Sequence, residues 1–204
     1  MREKELRLAL VCYGGISLAV YMHGITKEIW NFARASRNFH EGRDEAQSGA
    51  LAVYQDLLST ISTDGKLHMR VIIDIIAGAS AGGINGIFLA QAIETGQSLE
   101  PLTDLWLSRA DVEVLLDPDA RPAARFTKFW AQPIVWLAAR KKGDAVERTV
   151  SPETREEVRH KLSSFIRSRW FQPPFGGKTF TKLLLDAFDS MASAKRERAL
   201  LPFS

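Results

Sequence analysis

The sequence has little cysteine, little excess charge and no repeats. Among its 204 residues Cys12 is the only cysteine, which excludes an internal disulfide and a cysteine-based zinc site and is compatible with a reducing compartment. The 27 basic and 24 acidic residues leave a net charge of +3, so no dedicated nucleic-acid surface is indicated, although an anionic membrane surface is compatible with it. Low-complexity segments are also absent. The composition is that of an ordinary globular domain.

No targeting segment or membrane span is expected either. Residues 2–7 are mostly charged, and the apolar run that follows them meets Gly14 too soon for a signal peptide. The stretch 71–93 has the length of a span, but Asp74 and several glycines favour a buried strand and helix. We therefore expect a cytoplasmic protein, with peripheral membrane contact left open.

Residues 71–92 hold the most informative pattern, a predicted strand, sharp turn and helix. The residues at 71–76 are mainly β-branched, small residues follow, and apolar residues then recur at spacings of three and four. The turn reads Gly-Ala-Ser-Ala-Gly at 78–82, the G-x-S-x-G pattern of a nucleophile elbow. Gly78 and Gly82 would let strand and helix fold back on each other, and the Ala81 N–H would face a developing oxyanion. We predict Ser80 to be a nucleophile; the alternative is a tight packing turn without chemistry.

A second glycine turn lies upstream. Residues 6–12 form a predicted buried strand, followed by Tyr-Gly-Gly at 13–15 and a helix over 17–35, whose apolar face runs from Leu18 to Ala33 and whose N-cap is Ser17. After a polar loop at 36–48 and a helix over 50–61, the chain enters the strand at 70–77, so that the two strands should be parallel. The N–H groups of Gly14, Gly15 and Ile16 could then point at the oxyanion that forms when Ser80 attacks a carbonyl group. The alternative is a plain glycine turn without this role.

The general base is the missing part. Only His160 follows Ser80 in the order that a triad of the α/β-hydrolase type requires, and it lies in a charged helical stretch where an exposed histidine is the alternative. Asp74 precedes Ser80 by six residues of strand, about 20 Å at ~3.3 Å per residue. We interpret it as a paired structural carboxylate near the start of its strand.

Nucleotide, cofactor and metal sites are not indicated. Gly-Gly-Lys-Thr at 176–179 lacks the earlier glycine of a phosphate loop, since Gln172 occupies that position. Gly14 and Gly15 lack the G-x-G-x-x-G spacing of a dinucleotide turn. We expect no cofactor.

The second half of the chain is mainly helical in pattern. Aromatic residues at 126–137 precede the cations at 140–142, which suits contact with lipid at a membrane interface; the alternative is a helix pair kinked by Pro133 and packed on the core. The residues of that contact would be Phe129, Trp130 and Trp136. Because no convincing strand follows Ala92, we expect residues 1–204 to be the N-terminal portion of a single domain with an incomplete sheet. Its helical part, 96–204, would be a cap or an insertion, with a last helix over 179–198.

The two glycine turns resemble those of the patatin-like phospholipase family. The resemblance rests on Leu-Ala-Leu-Val-Cys-Tyr-Gly-Gly at 8–15 and Gly-Ala-Ser-Ala-Gly-Gly-Ile-Asn-Gly at 78–86. Large bacterial patatin-related proteins also resemble this chain in the sequence of residues 14–24. It implies a three-layer α/β/α fold, a lipid or phospholipid substrate and a serine–aspartate dyad that cleaves acyl esters, with Ser80 as nucleophile and Gly14, Gly15 and Ile16 as oxyanion loop.

Two departures from that family limit what the resemblance implies. The loop lacks the arginine and third glycine typical of the family, and no Asp-Gly pair, the usual setting of the dyad aspartate, follows Ser80. We therefore expect the aspartate to lie outside this chain and the isolated chain to be inactive. The alternatives are an α/β-hydrolase esterase with His160 as base, and a non-catalytic lipid-binding module of the same fold.

Overall fold

The computed structural model describes residues 2–15, 18–43, 48–109 and 177–201. The chain divides into two compact units, one of residues 1–110 and 184–204 and the other of residues 111–183, of which only 177–183 are described. The described elements, in chain order, are β1 (Arg2–Tyr13), α1 (Ala19–His40), α2 (Ala50–Gly65), β2 (Leu67–Ala79), α3 (Ala81–Thr95), α4 (Pro101–Arg109) and α5 (Gly177–Ser193).

The two strands pair in parallel, as the crossover pattern predicts. Cys12 lies opposite Gly78 and Tyr13 opposite Ala79, so that both strands end at the same edge of the sheet. Both strands are longer than predicted because the pairing extends back to Arg2 and Leu67. Main-chain hydrogen bonds hold this extension, and they do not need the apolar side chains on which the prediction relied.

A bulge interrupts β2 at Asp74. Leu8 lies opposite Ile73 and Ala9 opposite Ile75, which leaves Asp74 as the extra residue. Its Oδ2 lies 3.0 Å from Nη1 of Arg7. Asp74 is thus paired as predicted, but in the middle of its strand, because β2 begins earlier than the apolar run. Arg7 is largely exposed, so the pair contributes little to stability.

Helices α1 and α2 form the connection from β1 to β2 along the chain. They pack on each other through Ala35, Leu51 and Leu58. Helix α1 continues to His40, five residues beyond its predicted end, and the predicted polar loop is correspondingly shorter. The buried Ser36 hydroxyl in this extension accepts a hydrogen bond from the Val71 N–H at 2.8 Å, which fastens α1 to β2. Leu18 occupies the N-cap position of α1, and the predicted N-cap Ser17 lies outside the described residues.

The buried face of α1 differs from the predicted one. Trp30 and Ala33 are buried as expected, but Leu18, Tyr21 and Ile25 are exposed. After Ala19, the buried positions in the first half of the helix carry polar side chains, His23 and Thr26. The Thr26 hydroxyl donates to the Met22 carbonyl within the helix, so its burial leaves no unpaired donor.

Helix α3 is the centre of the remaining packing. Phe88 is buried, with ring centroids 6.3 Å from Trp106 of α4 and 5.1 Å from Phe188 of α5. Helix α5 ends at Ser193, earlier than the predicted 198, because the next residues bond to the end of α3: the Glu197 N–H donates to the Gly96 carbonyl at 2.8 Å. Among the helices in the described ranges, none combines the length and apolarity needed to cross a bilayer.

Candidate active site

Ser80 is the single residue between β2 and α3. Its backbone has φ 54° and ψ −132°, a conformation that only glycine adopts easily and that costs about 1–3 kcal/mol for other residues. Serine at the N-cap of a helix normally bonds a first-turn N–H, yet Ser80 makes no such side-chain bond and is exposed. The strained backbone therefore presents a hydroxyl that does not cap its own helix.

The glycines beside Ser80 are sterically required. A Cβ on Gly78 would lie 2.7 Å from the Gly83 nitrogen, and a Cβ on Gly82 would lie 2.6 Å from the Cys12 carbonyl carbon and still closer to its oxygen. Because the atoms met are backbone atoms, no side chain could move aside to make room. The end of β1, the end of β2 and the first turn of α3 are thus in direct backbone contact.

The glycine turn after β1 contacts the same helix N-terminus. A Cβ on Gly14 would lie 2.5 Å from the Gly82 nitrogen and 3.3 Å from the Ala81 Cβ, whereas a Cβ on Gly15 would meet no described atom within 4 Å. The structure therefore places Gly14 against the elbow, while the oxyanion role of the glycine loop stays a prediction. Ile16, the third predicted residue of this loop, lies outside the described residues.

Asn85 joins the two turns and was not singled out from the sequence. Its side chain is buried, and its Nδ2 donates to the Ala81 carbonyl at 3.0 Å and to the Ala19 carbonyl at 3.2 Å. The first turn of α3 is thereby tied to the first residue of α1, the helix that follows the Gly14 turn. An amide in an otherwise apolar helical run was the sequence signal that could have indicated it.

A polar cluster around the buried His23 connects α1 to α4. Nε2 of His23 lies 3.0 Å from Oγ1 of Thr103, and Lys27 donates to the same oxygen at 3.2 Å. Lys27 also pairs with Glu100 at 2.6 Å. Burial, together with the nearby charge of Lys27 and against the opposing charge of Glu100, lowers the pKa of His23 to about 4. His23 is therefore neutral near neutral pH, a role that sequence reasoning missed because only packing reveals the burial.

The base for Ser80 is not among the described residues that contact it. In the described ranges the Ser80 hydroxyl forms no hydrogen bond, and Asp74 pairs with Arg7 in the middle of β2. His160, the alternative base, lies outside the described residues. The predicted lipid contacts Phe129, Trp130 and Trp136 also lie outside them.

A curated protein that is similar to this chain is an uncharacterized membrane protein of Mycobacterium tuberculosis. It is 38% identical to this chain over 124 residues, an alignment that covers 56% of this chain and 11% of the relative. The chain thus spans about a ninth of the length of that relative. No solved structure shows significant similarity to the present chain.

The patatin-like phospholipase family matches residues 10–200. The matched span holds the Gly14 turn, the Ser80 elbow, all of β2 and the end of β1, and the mixed α/β architecture agrees with a patatin-like fold. The chain belongs to the patatin-like phospholipase family, a family of hydrolases that act on lipids.

Proposed function

We propose that this chain carries the nucleophile and the oxyanion hole of a lipid acyl hydrolase, a serine esterase of the phospholipase A kind. The observation that carries the proposal is the backbone of Ser80, held at positive φ between β2 and α3 with its hydroxyl not used for capping. Backbone strain of this kind persists only where the surrounding structure enforces it, and strained residues of this kind cluster at active sites. The contact of Gly14 with Gly82 adds a second set of N–H groups beside the same turn.

The proposed reaction has two steps. The Ser80 hydroxyl loses its proton to a base while its oxygen attacks the ester carbonyl carbon, and the N–H groups of Ala81, Gly14, Gly15 and Ile16 stabilise the resulting oxyanion. Collapse of this intermediate breaks the ester bond, protonates the alcohol that leaves and forms an acyl-serine. Water then gives a proton to the base and attacks the carbonyl carbon of the acyl-serine. Collapse of this second intermediate breaks the bond to the Ser80 oxygen, which takes the proton back from the base, and releases a fatty acid.

The base of the proposed dyad is an aspartate outside these 204 residues. Family membership favours an aspartate in an Asp-Gly setting, and no Asp-Gly pair follows Ser80 in this sequence. The M. tuberculosis relative is far longer than this chain, so a partner residue elsewhere in the full-length protein is compatible with the comparison.

The proposed substrate is a lipid ester reached at a membrane surface. Apolar side chains are exposed near the elbow: Tyr13, directly before Gly14, is 75% exposed, and Tyr21 in the first turns of α1 is 61% exposed. Exposed apolar groups of this size favour contact with acyl chains or with an interface. Phe129, Trp130 and Trp136 would extend this peripheral contact.

The test is covalent labelling of the full-length protein with a fluorophosphonate, combined with fatty-acid release from phosphatidylcholine vesicles. Wild type should be labelled and active, and Ser80→Ala should lose both because no other hydroxyl occupies the elbow. Ser59→Ala is the matched control, since Ser59 is exposed on α2. Labelling that persists in Ser80→Ala would place the nucleophile elsewhere.

The same assay separates the two alternatives. Loss of labelling in His160→Ala would favour the esterase with a histidine base, whereas the dyad predicts that this substitution has no effect. Vesicle binding by a wild-type protein that is never labelled would instead favour a non-catalytic lipid-binding module.

A further inference from the structure

A strongly cationic cavity lies along the second half of α1. Its volume is about 440 Å³, and it is enclosed by α1, the residues just after it and the segment 195–200, all in the first compact unit. The helix begins beside the elbow, and Arg34 follows Ala19 by about 22 Å at 1.5 Å per residue. The cavity is thus separate from Ser80. Six cationic side chains line it: Arg34, Arg37, Arg43, Lys195, Arg196 and Arg198.

Acidic side chains neutralise only part of this charge. Arg34 binds Glu197 through two nitrogens. Glu41 accepts from Arg37 at 2.8 Å and lies 3.0 Å from Arg43. In the described ranges Lys195, Arg196 and Arg198 form no ion pair, although Arg196 donates to the Thr95 carbonyl. Counted over the described residues, two carboxylates against six cations leave four positive charges around the cavity.

Two further observations indicate that the cavity attracts anions. The hydrogen bond from Arg37 lowers the pKa of Glu41, and the charges of Arg37, Arg43 and Arg198 lower it further. Nη1 of Arg37 is buried and has no acceptor within the described residues. Buried polar groups normally have a partner, so this donor would gain one if the guanidinium turned toward an oxygen of an anion bound in the cavity.

We propose that this cavity binds phosphate groups of a ligand that carries at least two negative charges. Five of the six cations are arginines, whose planar guanidinium groups match phosphate oxygens in paired hydrogen bonds. The volume lies within the range of about 300–1,000 Å³ typical of small-molecule sites. The ligand is either a free polyphosphate or the phosphorylated headgroup of a lipid. This site goes beyond the proposed hydrolase function and does not depend on Ser80.

Calorimetry on the full-length protein tests the proposal with two probes, inorganic pyrophosphate and phosphatidylcholine vesicles containing phosphatidylinositol 4-phosphate. Saturable binding of pyrophosphate indicates a free polyphosphate site, and binding of the phosphorylated vesicles alone indicates a lipid headgroup; either result supports the proposal. Binding of neither probe overturns it.

The substitutions Lys195→Gln and Arg198→Gln, made together, should weaken binding by about tenfold or more because two charge-assisted contacts are lost. Both side chains are exposed and free of ion pairs within the described residues, so folding should be preserved; each single variant should weaken binding by less. Lys178→Gln with Lys182→Gln is the matched control, since these exposed lysines of α5 carry the same charge outside the cavity. Equal weakening in the two double variants would show general charge attraction and overturn the site.

Discussion

At the scale of single residues, Ser80 and His23 are both held in states that an isolated peptide would avoid. Ser80 has a positive φ, and His23 is buried with its pKa lowered to about 4. Each state has an energetic cost that the surrounding packing offsets. For Ser80 the result is a hydroxyl available for chemistry, and for His23 it is a stability that depends on pH.

The pH dependence follows from the lowered pKa of His23. The unfolded chain binds a proton on this histidine near pH 6.5, whereas the folded chain binds it only near pH 4. Acid therefore favours unfolding: the contribution is complete above about pH 6.5 and is lost as the pH falls toward about 4. We expect the free energy of unfolding to fall by about 3 kcal/mol over this interval from His23 alone, at ~1.4 kcal/mol per pKa unit.

Urea unfolding of the full-length wild type and of His23→Gln, at a series of pH values, checks this expectation. Glutamine retains a group that can bond Thr103 but takes up no proton. The variant should show a shallower loss of stability with acid. Identical pH profiles in the two proteins would mean that His23 is not the group responsible.

At the scale of elements, the site depends on how closely the Gly14 turn approaches the N-terminus of α3. The adjacent glycines offer a direct test, because a Cβ on Gly14 would lie 2.5 Å from the Gly82 nitrogen, whereas a Cβ on Gly15 would have no atom of the described residues within 4 Å. The two substitutions are otherwise alike in chemistry and in sequence position. They differ only in whether a methyl group separates the turn from the elbow.

Gly14→Ala should destabilise the full-length protein by about 1–3 kcal/mol, the usual effect of overpacking, and should also reduce labelling of Ser80. Gly15→Ala should leave the free energy of unfolding nearly unchanged. Urea denaturation and fluorophosphonate labelling measure the two effects. Equal stability of the two variants would contradict the close approach of β1 and α3.

At the scale of the whole molecule, the proposed dyad separates the nucleophile from its base. A serine hydroxyl is a weak nucleophile until a neighbouring group takes its proton, and a general base typically contributes about 100- to 10,000-fold in rate. Residues 1–204 alone should therefore show no Ser80-dependent ester hydrolysis, whereas the full-length protein should be active. Turnover of p-nitrophenyl esters measures the activity of both proteins, and circular dichroism shows whether the shorter one is folded.

Activity of the isolated chain would contradict this arrangement. If Ser80→Ala abolished that activity, the base would lie within the chain, and His160 would be the residue to substitute next. If full-length protein and isolated chain were both inactive while Ser80 was intact, the hydrolase proposal itself would fail.

Local pattern was enough to predict the strand, turn and helix around Ser80, because the conformation there is dictated by glycines and by the period of the apolar residues within about ten positions. The parallel pairing of β1 and β2 was also predictable, since a long helical connection leaves little alternative. Element ends were less accurate: α1 continues through 36–40 because Ser36 bonds to Val71, a partner 35 residues away in sequence. No local pattern contains that bond.

Tertiary structure alone decided which polar residues are buried and which charges meet. His23, Thr26 and Asn85 lie inside while Leu18, Tyr21 and Ile25 lie outside, because burial depends on neighbouring elements and not on side-chain type alone. The cationic cavity combines residues 34–43 with residues 195–198, segments more than 150 positions apart. The sequence by itself determined the sharp turn at Ser80, because its geometry is local. The contact of Gly14 with that turn and the cationic cavity required the folded chain, because they join segments that only long-range packing brings together.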